Sequence, residues 1–331
     1  MNISSLGTKL WQACRLPNLS HKNYPRGIHQ QSLKITLFDG SMGGILFARG
    51  YIDANGIWSA KALIEHPKAV KNLHKEYIAS GADVITTNTY ATIPYYLGKK
   101  NLEHEYPRLT QLGGQVARQA VLESGRMVQV AGSLPPLSES YRPSMQLDEI
   151  QAQQIYKIMA QALVPYVDLF LCETMSSLRE AVTAVKAVTP LALQTKKPIY
   201  VSFSLHEEPG KGLRSGEPIT EILQQLSPLN VSAYLFNCTS STAIEHAVRV
   251  LAKLTTTPLG GRPNRLDPVP EGWRLDEGGT IPVKKEYNPE MFVNAALSCI
   301  DAGATLYGGC CGIGPNYIRA LDQAIQSRQE R

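Results

Sequence analysis

Two adjacent cysteines held between glycines are the residues of this chain best suited to chemistry. The sequence reads Tyr307-Gly308-Gly309-Cys310-Cys311-Gly312, and a third thiol stands earlier, in Phe236-Asn237-Cys238-Thr239. Glycine permits close backbone approach and unusual φ values, so neighbouring side chains can turn toward one point. Three thiolates brought together would bind zinc and leave a fourth coordination position open, the arrangement of a catalytic zinc site. A substrate thiol, with a pKa of about 8.5 in water, is mostly protonated at neutral pH. On zinc it becomes a thiolate, able to displace a methyl group from a cationic donor. The competing reading is packing, because free cysteine is among the most buried residue types. For Cys14, Cys172 and Cys299 that plainer reading is adopted. For Cys238, Cys310 and Cys311 the metal reading is preferred, since core packing has no use for two adjacent thiols pinned between glycines.

Other groups accompany the thiols. Asp39 and Glu173 each end an apolar run, and a carboxylate there is costly unless solvated or paired. Taken alone, either would serve as well as a helix cap or a rim salt bridge. Tyr90, Tyr95, Tyr96, Trp273 and Tyr307 are candidates for a cation-binding surface, as aromatic faces attract sulfonium or quaternary ammonium groups, although ordinary packing explains any single one. No glycine-rich dinucleotide or phosphate loop follows a strand in the required context. Gly210-Lys211-Gly212 lacks phosphate-loop spacing and reads as a flexible lid.

The elements that must position these groups alternate from residue 35 onward. Strand candidates fall at 35–38, 84–87, 128–131, 168–172, 199–203, 233–236, 258–261 and 305–307. Most are continuous apolar runs, as expected for parallel strands buried on both faces. Helical spacing appears at 67–80, 107–123, 146–164, 175–193, 241–254, 289–302 and 315–327. Alternation on this scale predicts an α/β fold, a (β/α)8 TIM barrel in one domain over 35–331, with a doubly wound sheet as the competitor. The barrel is preferred because the candidate residues follow several different strands, whose C-terminal ends share one face in a barrel. Segments 207–218 and 259–282, rich in Gly and Pro, read as long loops on that face.

Charge and cysteine usage narrow the partners. Lys9, Arg15, Lys22, Arg26 and Lys34 precede the first acidic residue, Asp39. Removing these five from the 33 basic residues leaves 28, matching the 28 acidic ones. A neutral body carries no electrostatic footprint for nucleic acid or an anionic membrane, and no apolar run is long enough for a transmembrane helix. Residues 1–34 form an N-terminal extension, either a transit-type segment for mitochondria or a dispensable addition to a cytoplasmic protein; Pro17 and Pro25 favour the second. A secreted disulfide framework is not expected, and a bond between adjacent Cys310 and Cys311 is geometrically awkward. The six cysteines are therefore expected to be reduced.

A series of motifs in order carries a resemblance. Leu37-Phe38-Asp39-Gly40-Ser41-Met42-Gly43, Ile57-Trp58-Ser59-Ala60-Lys61, Gly81-Ala82-Asp83-Val84-Ile85-Thr86-Thr87-Asn88-Thr89-Tyr90, Ala131-Gly132-Ser133, Cys172-Glu173-Thr174, Asn237-Cys238 and Gly308-Gly309-Cys310-Cys311-Gly312 resemble the homocysteine S-methyltransferases over about residues 35–328. The resemblance implies a (β/α)8 barrel that moves a methyl group to homocysteine, giving methionine. It implies Zn2+ on Cys238, Cys310 and Cys311, an ammonium site at Asp39 and Glu173, and backbone contacts from Gly40 and Thr87 to the substrate carboxylate. Asn237 would support the ligand loop, with a simple turn role as the alternative. The Trp58 motif and the chain length are closer to S-methylmethionine-type members than to betaine-type ones, so the donor is expected to be a sulfonium, S-methylmethionine or S-adenosylmethionine. Betaine, another thiol or selenol acceptor, and a non-catalytic thiol-binding role are the alternatives. The length leaves no room for the extra domains of a cobalamin-dependent synthase. Two segments depart from the family pattern: Gly260-Gly261-Arg262-Pro263-Asn264, where an aromatic residue usually precedes Pro-Asn, and Leu134-Pro135-Pro136-Leu137-Ser138-Glu139-Ser140-Tyr141, usually glycine-rich.

Overall fold

The computed structural model describes residues 34–52, 56–268 and 281–330. Trp273, and most of the 1–34 extension, lie outside the described residues. Eight parallel strands make one sheet: β1 Thr36–Leu37, β2 Val84–Thr86, β3 Gln129–Leu134, β4 Leu169–Met175, β5 Ile199–Phe203, β6 Val231–Asn237, β7 Leu259–Arg262 and β8 Leu306–Tyr307. Each pairs with its sequence neighbour from β2 through β8, and β1 pairs with β8. A parallel bridge from Phe38 to Val84, with Asp83 N–H donating to the Leu37 carbonyl at 2.7 Å, joins β1 to β2 and closes the ring. The expected (β/α)8 barrel is the fold.

Eleven helices are seen among the described residues: α1 Gly43–Ala48, α2 Ser59–Glu65, α3 Pro67–Ala79, α4 Pro94–Leu97, α5 Tyr106–Ser124, α6 Glu149–Leu163, α7 Leu178–Thr195, α8 Glu221–Leu226, α9 Ser241–Leu251, α10 Pro289–Asp301 and α11 Pro315–Gln329. Seven match the sequence expectation. The other four, α1, α2, α4 and α8, have four to seven residues, too few for a helical period to stand out. The long helices start on recognisable signals: Asp148, Ser177, Ser240 and Asn288 cap α6, α7, α9 and α10 with side-chain oxygens that accept backbone N–H bonds. No helix of the described residues is long and apolar enough to cross a membrane.

Two cores follow from strand geometry, because successive side chains point to opposite faces. Outward residues pack under the helices. Inward ones, Phe38, Val84, Ala131, Leu169, Leu171, Ala233, Leu235 and Leu306, form a separate cluster filling the barrel. Continuing that alternation by two residues toward the C-terminal end gives Thr86, Ser133, Glu173 and Asn237. The barrel interior thus changes from apolar to polar at one level, and the site is built on that level.

Around the 207–218 segment the chain doubles back on itself. Leu205 bridges Leu213, Leu213 is fully buried and its N–H donates to the Glu217 carbonyl at 2.9 Å. Residues 259–262, included in a long-loop reading, are strand β7.

Candidate active site

A cavity of about 440 Å³ opens at the C-terminal ends of the strands, walled by groups from several strands, from the loop that carries Tyr141, and from the Cys310–Gly312 turn. Its floor is the polar layer, and three features of that layer decide its chemistry.

The first is the cysteine group. The sulfurs of Cys238, Cys310 and Cys311 all lie within 4.8 Å of one another. Cys238 directly follows β6, with its backbone in the left-handed region at φ 54°, which turns the chain end toward the mouth. Its N–H donates to the Arg262 carbonyl at 3.2 Å, while Cys310 N–H donates to the Pro263 carbonyl at 2.8 Å. Both thiols are therefore registered against the end of β7. Asn237 accepts bonds from Thr174 N–H (2.9 Å) and Ser202 Oγ (2.6 Å), and its amide donates to Thr174 Oγ1 at 2.8 Å, fixing the strand ends beneath the thiols. Cys238 and Cys310 are joined as a disulfide, with Cα atoms 5.6 Å apart, which corrects the expectation that all six cysteines are reduced. The convergence that suits a shared ion also suits a direct S–S bond, since 5.6 Å is within the usual Cα span. Cys311 is a free thiol that faces the cavity. Burial first, then the charge of Glu173, pushes it up to about 11, so without a metal it stays protonated at neutral pH. Cys172 and Cys299 are buried away from this group, as the packing reading expects.

The second is the carboxylate pair with its cation. Asp39 accepts from Thr86 N–H at 2.7 Å and Thr86 Oγ1 at 2.9 Å. Glu173 accepts from Ser133 Oγ at 2.5 Å and from Arg262 Nη1 at 2.9 Å. Arg262 Nη2 lies 3.6 Å from Asp39 Oδ1, its Nε donates to the Gly309 carbonyl at 3.3 Å, and its guanidinium lies over the Phe38 ring at 5.6 Å. All three residues are buried. Burial raises Asp39 to about 6, with Arg262 acting in the opposite sense. In the sequence Arg262 stands out only as a departure from the family pattern at the end of the seventh strand. Strand parity identifies it: a Cβ on Gly261 would meet Ile244 of α9, a Cβ on Gly260 would meet Leu306 in the interior, and Arg262 shares the inward face with Gly260.

Gly40 and Thr87 line the same end. A Cβ at Gly40 would stand 2.2 Å from the Ile313 carbonyl oxygen, so only glycine fits beneath the cysteine turn. Thr87 N–H is engaged, donating to the Ala131 carbonyl at 2.9 Å, and its Oγ1 accepts from Ser133 N–H at 3.0 Å.

The third is aromatic. Tyr90 reaches the cavity, as do Phe47, Trp58 and Tyr141, three aromatics that the sequence does not single out for cation binding. Trp58 stacks on Phe47 with ring centroids 6.0 Å apart, and a Cβ at Gly43 would stand 2.4 Å from its indole nitrogen. Tyr96 and Tyr307 are instead fully buried in the outer core, and Tyr95 packs against it edge-on to Tyr96.

A (β/α)8 barrel carrying a three-cysteine group at the C-terminal mouth, beside buried carboxylates and an aromatic wall, defines the class: a barrel enzyme with its site on that face. Residues 36–325 match the family model for homocysteine S-methyltransferase, and the chain belongs to that family of methyltransferases. Among its relatives, the Bacillus subtilis homocysteine S-methyltransferase YbgG is 27% identical over 87% of this chain and 93% of its own. The Escherichia coli homocysteine S-methyltransferase is 28% identical over 87% and 94%. The crystal structure of the Escherichia coli homocysteine methyltransferase MmuM in its metallated form superposes with a TM-score of 0.72 at 25% identity, covering 88% of this chain and 97% of that one; the oxidized form gives 0.71 over 88% and 96%.

Proposed function

We propose that this chain transfers a methyl group from a sulfonium donor, S-methylmethionine or S-adenosylmethionine, to the thiol of homocysteine, giving methionine, with zinc held by Cys238, Cys310 and Cys311. The observation that carries this reading is the mutual approach of three sulfurs in the wall of the cavity. Tetrahedral zinc with Zn–S distances of about 2.3 Å places its sulfurs about 3.8 Å apart, so the group fits once the Cys238–Cys310 bond is reduced. A soft, three-thiolate donor set favours zinc over hard cations. Bound there, zinc would hold the acceptor sulfur as a thiolate at neutral pH.

The remaining chemistry belongs to the chain. Homocysteine's amino-acid end lies toward Asp39, Gly40, Thr87 and Glu173, which fixes the direction from which its sulfur reaches the cysteine group. Phe47, Trp58, Tyr90 and Tyr141 receive the cationic donor, whose positive charge their ring faces stabilise. Holding both partners in line supplies the proximity that a two-reactant displacement needs. Betaine is a cation that the same wall could receive, so donors are compared directly. The reduced, zinc-supplemented protein is incubated with homocysteine and each of S-methylmethionine, S-adenosylmethionine and betaine, and methionine is quantified. Methionine from a sulfonium donor, abolished by a chelator and restored by zinc, is the expected result. No methionine from any donor would overturn the reading.

A further inference from the structure

Resting on that reading of the acceptor site, we propose that Arg262 sets the length of the acceptor. Its side chain fixes the span between the ammonium seat and the three-cysteine group, so that a thiol two methylenes from its α-carbon fits and a thiol one or three methylenes away does not. Asp39 and Glu173 make the seat. Glu173 accepts one bond at each oxygen, from Ser133 and from Arg262, and Thr86 serves Asp39. A carboxylate has about four lone-pair sites, so acceptor positions remain. Two carboxylates against one guanidinium leave a net negative charge for an ammonium ion. The acceptor is thus held at both ends, by its ammonium at the seat and by its sulfur at Cys238, Cys310 and Cys311. The distance between those two anchors reads its length.

Arg262 is bonded to both anchors. On the seat side Nη1 donates to Glu173 at 2.9 Å and Nη2 stands 3.6 Å from Asp39. On the sulfur side Nε donates to the carbonyl of Gly309, the residue before Cys310, at 3.3 Å, and the Arg262 carbonyl accepts from Cys238 N–H at 3.2 Å. The next carbonyl, of Pro263, accepts from Cys310 N–H at 2.8 Å. One residue of β7 thereby ties together β4, the residue after β6 and the turn after β8. The tie is stiff. A guanidinium is a planar fork whose donor directions are fixed relative to one another, and here each of its nitrogens faces one of these groups. It lies over the Phe38 ring at 5.6 Å, and Arg262 is 3% exposed. Asp39 also reaches the turn, its carbonyl accepting from Gly309 N–H at 2.9 Å, but that bond joins backbones and leaves the Glu173 side chain unplaced. Arg262 is therefore a positioning residue: without touching the sulfur, it decides where the sulfur sits relative to the ammonium.

The test measures kcat/KM, with S-methylmethionine as donor, for cysteine, homocysteine and 2-amino-5-mercaptopentanoate, which differ by one methylene at each step. Wild type should favour homocysteine over either neighbour by roughly 10- to 200-fold, the range that one methylene carries. Arg262→Lys keeps a buried cation beside Glu173, which preserves the charge balance of the floor. A lysine ammonium is a point charge on a flexible stem, however, and does not fix Glu173 and the turn together. It should lower the preference for homocysteine by roughly tenfold while KM for S-methylmethionine stays unchanged, and Arg262→Met should flatten the series further. A readout free of the metal and of turnover is calorimetry on the reduced, metal-free protein with S-methylcysteine, methionine and 2-amino-5-(methylthio)pentanoate. Methionine should bind tightest in wild type, and the three should bind nearly alike in Arg262→Lys. An equal fall for all three acceptors with the binding order retained, which is what a purely structural role gives, overturns the proposal. So does a wild type indifferent to chain length. No methyl transfer to any thiol, with the binding order as expected, would instead refute the methyl-transfer reading and leave the role of Arg262 standing. Homocysteine turnover with a series that neither variant alters would do the opposite.

Discussion

Arg262 donates to Glu173 across 2.9 Å at the floor of the cavity, a contact between the last residue of β7 and an inward residue of β4. It joins strands three apart in the ring, and both side chains are almost fully enclosed. Breaking such a buried pair by removing one partner costs about 3–5 kcal/mol. Arg262→Met should therefore lower stability by an amount visible as a lower denaturant midpoint, and Glu173→Gln added to it should restore part of the loss. Additive losses in the double variant would mean that the two side chains do not act as a pair.

The thiol group predicts a redox- and metal-dependent protein. Under reducing conditions about one zinc should be bound per chain, and Cys310→Ala with Cys311→Ala should remove it with little change in circular dichroism, since neither side chain belongs to the apolar cores. Oxidised protein should hold none, because Cys238 and Cys310 are then bonded to each other. Metal analysis by plasma emission on the three samples decides; zinc retained in the double variant would remove the cysteines from the assignment.

These strands were legible because they are short, continuous apolar runs, and the register of the barrel follows from their alternation. The apolar signal ended early where the site begins. β3 runs on to Leu134 and β4 to Met175, through Ser133, Glu173 and Thr174, whose polarity looks like a strand end. Those residues are inward positions at the polar layer, so the reading of strand length failed at the functional end. Arg262 was visible as an unusual residue, but its role depends on Glu173 and Asp39, 89 and 223 positions away, which periodicity cannot reveal. The Cys238–Cys310 bond was hidden for the same reason: it depends on two strand ends meeting.

The aromatic wall makes the donor side testable. Trp58→Leu removes a ring face from the cavity while keeping an apolar side chain against Phe47. A cation–π contribution of about 0.5–2 kcal/mol predicts that KM for S-methylmethionine rises by roughly 2- to 30-fold, with KM for homocysteine little changed. A rise confined to homocysteine would place Trp58 on the acceptor side.

Asp39 predicts a pH dependence. Burial raises its carboxyl from the ordinary 3.8 to about 6. Because the folded value exceeds the unfolded one, the stability it contributes is fully present below about pH 4 and lost as pH rises through about 6. At neutral pH the ionised, buried form costs on the order of 3 kcal/mol relative to acid conditions. Asp39→Asn should remove this slope, so its stability relative to wild type should increase between pH 4 and pH 7 in urea titrations. A constant difference across that range would show that Asp39 titrates as an ordinary carboxyl.

The barrel closes from Thr36 onward, with β1 paired to β8 and bridged to β2. Deleting residues 1–32 should accordingly leave melting temperature and activity nearly unchanged. Loss of soluble protein would show that the extension contributes to folding.

Glu173→Gln tests how the acceptor is oriented. The amide keeps the shape of the side chain and can still accept a hydrogen bond, but the charge facing Arg262 is gone. A buried charge-assisted bond contributes on the order of 1.5–3 kcal/mol, so kcat/KM with homocysteine should fall by roughly 10- to 150-fold. Zinc content should not change, because Glu173 is outside the sulfur group. The informative comparison is 4-mercaptobutanoate, the same chain without the amino group. If Glu173 bonds the ammonium of homocysteine directly, the loss is confined to homocysteine. If Glu173 works only by holding Arg262 in place, both thiols lose equally. Each Glu173 oxygen accepts one bond, from Ser133 or from Arg262, which leaves acceptor positions for an ammonium and predicts the loss on homocysteine alone. An equal loss on both thiols would mean that Glu173 acts through Arg262 or the fold, and it would then not be the residue that recognises the amino group.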